Sequence, residues 1–184
     1  MVNLLLGSGA NASIKNGDGL TPLGIAVGQG RINIVEDILP HVDINGDVGE
    51  ASLSALHVAA FKGQEAIARL LLANGTSVHW IDDFGWTPLH RAAGAGQIPI
   101  MQLFLDQGAD LSAVTALGST LLQVVSEGRQ RGSSRFLLDK GADVSFRDRS
   151  GMTVLHRTAY TSGDIEIGKL LIQHGAIVST TDDN

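Results

Sequence analysis

The chain has 184 residues, 43% of them hydrophobic and 17% charged, with 23 glycines, no cysteine and a formal net charge of −6. Disulfides, thiolate nucleophiles and Cys-ligated metals are excluded, and this hydrophobicity argues against intrinsic disorder. No run approaches the ~18 apolar residues of a membrane span, and the start, Met1-Val2-Asn3-Leu4-Leu5-Leu6-Gly7, lacks the basic region of a signal peptide.

Charge is unevenly placed. Residues 1–128 carry five Lys/Arg against twelve Asp/Glu, and residues 129–157 carry seven against three. This dipolar layout argues against general nucleic-acid binding, which favours a strongly basic domain.

In chain order, residues 1–13 read as a second helix and its exit turn, Gly7-Ser8-Gly9. Gly17-Asp18-Gly19 is a tight turn, and Thr21-Pro22-Leu23-Gly24 opens a short helix that Gly30 breaks. The Thr hydroxyl suits an N-cap, and Pro suits the first helical position, where its missing N–H is no loss. A second opening, Ser54-Ala55-Leu56-His57, leads to Ala59-Ala60 and a break at Gly63. Ile67, Leu70 and Leu71 then sit at helical spacing before Gly75. Thr87-Pro88-Leu89-His90, with Ala92-Ala93, repeats the pattern, followed by Pro99, Ile100, Leu103 and Phe104 up to Gly108. Thr120-Leu121-Leu122-Gln123 and Thr153-Val154-Leu155-His156 open two more units, whose second helices end at Gly141 and Gly175. Thr21, Ser54, Thr87, Thr120 and Thr153 are each 33 residues apart, as are Leu23, Leu56, Leu89, Leu122 and Leu155. A sustained period of this length marks a solenoid.

Asp83-Phe84-Gly85-Trp86-Thr87-Pro88-Leu89-His90-Arg91-Ala92-Ala93 resembles the ankyrin-repeat signature, and Gly108-Ala109-Asp110 and Gly141-Ala142-Asp143 resemble its helix-ending segment. The resemblance implies an all-α solenoid of stacked helix-turn-helix units with short β-turn fingers. It gives one domain over 1–184: a partial repeat at 1–15, repeats at 16–48, 49–81, 82–114, 115–147 and 148–181, and the start of another finger at 182–184. With no full capping repeat at either end, the chain is expected to be part of a larger protein.

Several positions depart from the pattern. Gly24 replaces His, and the finger before Ser54 is one residue longer and acidic, with Asp43, Asp47 and Glu50. Repeat 4 lacks Pro, His and the Ala pair and is expected to be the weakest unit, while repeat 5 has one extra residue between His156 and Gly163.

His57, His90 and His156 invite a metal or general-base reading. The resemblance instead implies a structural role, with each imidazole bonding backbone near the helix start, and one or more repeat spacings separate them. No P-loop, Gly-x-Ser-x-Gly, His-Glu-x-x-His or Rossmann fingerprint is present, so neither enzymatic activity nor a cofactor or metal is expected.

The resemblance implies a protein or peptide partner bound on the concave first-helix face and the fingers. Trp80, Phe84 and Trp86 share one finger, and Phe61 and Tyr160 hold matching places in repeats 2 and 5. Aromatic anchors are enriched at binding hot spots. The expected contact set is Phe61, Lys62, Trp80, Phe84, Trp86, Arg91, Glu127 and Tyr160. The basic stretch from Arg129 to Arg157 reads either as a solvated face with local ion pairs or as a dock for an acidic segment. The protein is expected to act as a cytoplasmic monomer, without nucleic acid or membrane. Two alternatives stay open: a regulatory or targeting segment of a multidomain enzyme, and an array that binds or transforms a small molecule near His79, Asp82 and Asp83.

Overall fold

Ten α-helices lie wholly within residues 7–49 and 51–178, the residues that the computed structural model describes. They come in pairs: α1 (Pro22–Gly28) with α2 (Ile32–Ile38), α3 (Ala55–Lys62) with α4 (Glu65–Ala73), and α5 (Pro88–Gly94) with α6 (Ile98–Asp106). Next come α7 (Leu121–Glu127) with α8 (Arg131–Asp139), and α9 (Val154–Arg157) with α10 (Ile165–Gln173). First helices stack on first helices and second helices on second helices along the chain. The expected partial helix before residue 7, the start of a further finger at 182–184 and the acidic Glu50 lie outside the described residues.

Side chains one period apart form continuous buried rows. Leu23, Leu56, Leu89 and Leu122 make one; Ile38, Leu71, Phe104, Leu137 and Leu171 make another. Ala59, Ala60, Ala92 and Ala93 are fully buried, and their small size lets neighbouring first helices pack closely. In repeat 4, Ser133 and Ser134 are buried where neighbours place Ile67 and Ala68, or Ile100 and Met101. The Ser133 hydroxyl has no hydrogen-bond partner among the described residues, so this unit buries less apolar surface and strands a polar atom.

Each first helix is capped as its sequence requires. The side chains of Thr21, Ser54, Thr87, Thr120 and Thr153 accept from the third helical amide. The His Nδ1 returns the bond: it accepts from Ser54 N at 3.3 Å, and His57 Nε2 then donates to the Trp86 carbonyl in the next finger at 2.9 Å. Gln123 does the same work without a titratable ring. Its Oε1 accepts from Thr120 N at 2.9 Å and its Nε2 donates to Met152 O at 3.2 Å.

The irregular positions explain one another. At Gly24 no His is needed, because the Val48 carbonyl from the longer finger accepts from Thr21 N directly, at 3.1 Å. The turn between paired helices takes a left-handed residue, as at Gly63, where a β-carbon would also strike the Gln97 carboxamide at 2.8 Å. In repeat 4 that left-handed residue is Arg129, at φ 56°. It fits because the residue matching Gln97 in the following unit is the shorter Asp164, and Arg129 donates to Ser162 O at 2.9 Å. The extra residue of repeat 5 is absorbed as one π-helical turn, Thr158–Ser162.

Candidate functional site

Three residues of the expected contact set converge. Phe61 and Lys62, at the end of α3, and Arg91, on α5, line one open trough of about 250 Å³ together with Leu53, His57 and Val58. Phe61 is 54% exposed, with Lys62 Nζ lying 5.6 Å from its ring centroid. Among the described residues Lys62 has no carboxylate within salt-bridge distance. The positions one period before and after Phe61 are Gly28 and Gly94. Neither glycine is required sterically: a β-carbon would meet only Val58 at 3.8 Å in the first case, and Trp86 and Val124 at 3.6 Å in the second. Both positions leave the Phe61 ring standing clear.

Arg91 forms the wall of the trough rather than a free cation. It pairs with the buried Asp82 carboxylate, and its guanidinium stacks 4.9 Å over the Trp86 ring. Asp82 is itself committed, since its Oδ1 accepts from Phe84 N and Trp86 N at 2.9 Å each. Asp82 thus shapes its own finger. Among the described residues no group of three His, Asp or Glu could hold a metal ion. Trp86 is half-buried by the Arg91 stack and tilts against His90, whereas Phe84 is exposed. Trp80 lies across the preceding finger, donating from Nε1 to Ser52 O at 3.3 Å.

Repeat 5 carries a second copy of this arrangement. Asp148 Oδ1 accepts from Ser150 N and Met152 N, and its Oδ2 accepts from Arg157 Nε at 2.6 Å. Burial alone would raise the Asp148 carboxyl; the Arg157 bond and the two amides outweigh it and hold it below the usual range. Glu127 stands 3.8 Å from the same Arg157, and its burial, only partly opposed by that cation, raises its pKa. Tyr160 is well exposed on the π-helical turn. Neither residue joins the trough beside Phe61.

The basic stretch is largely used internally. Arg131 pairs with Asp164, Arg157 with Asp148, Arg129 bonds Ser162 O, and Arg147 bonds Gly151 O. Among the described residues only Arg135 and Arg149 of its arginines have no ion-pair or hydrogen-bond partner.

Sequence reasoning missed Leu53 and Val58 in the trough, and the exposed Ile81, Val114 and Leu117 on the fingers. The signal was available, because stepping 33 residues from Ile81 and Phe84 reaches Val114 and Leu117. Among the described residues no helix is long and apolar enough to cross a membrane.

A family model described as "Ankyrin repeats (3 copies)" matches residues 1–82, 36–115 and 56–148, and one described as "Ankyrin repeat" matches residues 150–183. No curated protein matches the chain. Stacked helix pairs, reciprocal caps at the Thr-Pro-Leu-His openings and these matches agree: the chain belongs to the ankyrin-repeat family.

Proposed function

We propose that this array binds a protein or peptide partner through its first-helix face and fingers, with the trough beside Phe61 as the principal contact. Ankyrin repeats generally mediate protein–protein interactions and are typically non-catalytic. The observation that carries the reading is the exposed Phe61 ring, flanked by two glycines that the packing does not require and edged by the unpaired Lys62. A fixed scaffold supports it: paired buried charges and reciprocal caps hold the rim in place before binding, which reduces the ordering cost. Trp80 and Phe84 extend the contact along the fingers, while Trp86 and Arg91 act mainly by shaping the wall. Tyr160 and Glu127 form a separate, outlying contact in repeats 4 and 5.

The test is affinity capture with the full chain, followed by titration of each purified partner against Phe61→Ala and Lys62→Ala. Both positions are exposed, so neither change should alter helicity. Phe61→Ala should weaken binding by about tenfold or more, the size of a hot-spot truncation. Unchanged affinity in both variants would contradict the assignment of the trough.

A further inference from the structure

Four exposed apolar side chains stand in matched positions on two neighbouring fingers. Ile81 and Phe84 on one are 60% and 59% exposed; Val114 and Leu117, one 33-residue period later, are 42% and 78% exposed. The two fingers are tied together by Ala116 N donating to Phe84 O at 2.9 Å, so the four side chains belong to one surface. Its limits are visible in the same register. The matching residues are Lys15 and Asp18 in the first finger, Asp47 and Ala51 in the longer second finger, and Arg147 and Ser150 in the fifth. The patch is therefore two fingers wide, on the order of 10 Å between repeats.

Charge marks its two ends differently. At the third finger the exposed acid is Asp83. The fourth finger, 112–119, holds no charged residue. On the fifth side stands Arg149, whose stem lies across Gly118, so close that a β-carbon there would come within 3.1 Å of its Cγ. That contact keeps Arg149 beside Leu117, and among the described residues its guanidinium has no carboxylate within salt-bridge distance.

The geometry points to a second docking surface, on these finger tips, for a protein segment that presents two apolar side chains with a carboxylate beside them. The apolar pair covers Ile81, Phe84, Val114 and Leu117, and the carboxylate meets Arg149. This inference rests on the protein-binding reading, whose finger contact it extends at Phe84, but not on the trough. A basic segment is disfavoured at the Arg149 end, since like charges facing one another cost binding energy.

Panning a random peptide library on the full chain tests it, with enriched peptides titrated against Leu117→Asp, Arg149→Glu, Arg149→Lys and Phe61→Ala. The altered side chains are exposed, and unchanged helicity confirms folding. Peptides with an apolar pair and a neighbouring acid are expected. They should lose about tenfold or more in affinity to Leu117→Asp and Arg149→Glu, keep most of it with Arg149→Lys, and ignore Phe61→Ala. Enriched peptides that bind Leu117→Asp as well as the native chain would overturn the inference; if those peptides fail on Phe61→Ala, the protein-binding reading still stands. No enrichment at all would count against both. Concentration-dependent self-association abolished by Leu117→Asp would give the patch to a second copy and overturn the inference.

Discussion

Gly24 and Val48 are a matched pair: the Val48 carbonyl leaves no room for a β-carbon at 24, and it satisfies the Thr21 amide that a His would otherwise cap. The lost His and the lengthened finger are thus one structural event. Gly24→Ala should destabilise the array by about 1–3 kcal/mol, the usual cost of overpacking. Gly24→His combined with deletion of Ala51 should be less damaging than the sum of the two single changes. Urea unfolding of the four proteins checks this; strict additivity would contradict the coupling.

His57 and His90 are buried neutral. Burial lowers both, His90 from 6.5 to about 4, with the Asp82 charge opposing the shift in each. The folded state therefore takes up these protons less readily than the unfolded chain. Their contribution is complete above pH about 6.5 and is lost as pH falls toward 4, on the order of 3 kcal/mol for His90. Gln123 performs the same capping without titrating. The double variant His57→Gln/His90→Gln should accordingly show a flatter stability profile between pH 6.5 and 4, measured by denaturant unfolding. An equally steep loss in the variant would assign the acid sensitivity elsewhere.

Arg129 holds a left-handed conformation that a side chain resists. Arg129→Ala removes its bond to Ser162 O and keeps the strain, whereas Arg129→Gly removes both. Arg129→Gly should therefore be more stable than Arg129→Ala by about 1 kcal/mol. Equal midpoints in thermal unfolding would show that the turn relaxes.

Gly28 and Gly94 should be replaceable by alanine with a gain of about 0.5–1 kcal/mol each, since helix propensity improves and no clash results. The same changes add a methyl group one period to either side of Phe61. Partner affinity should fall as stability rises, a trade expected where function keeps a local weakness. Alanine variants that are both more stable and equally tight binders would remove the functional reason for the glycines.

The period and the Thr-Pro-Leu-His openings made the helix pairs legible, because a cap and a helix break are local chemistry. The backbone-bonding role of His57 was implied by the family resemblance. Arg129 was not legible as a turn residue: what makes room for it is the short Asp164 in the next repeat, a contact across units. Arg91 and Trp86 read equally well as free contact residues in the sequence. Only the fold shows that Asp82 turns inward and draws Arg91 across the Trp86 ring. Phe61 and Lys62 are both exposed, and only the fold shows that they share a trough with Arg91.

The central claim concerns which face meets a partner, and hydroxyl-radical footprinting reads that directly on aromatic side chains. With the captured partner at saturation, Phe61, Trp80 and Phe84 should each be modified several-fold more slowly than in the free chain, while Ile172 on α10 should react unchanged. Equal rates for the three aromatics in free and bound protein would contradict the account.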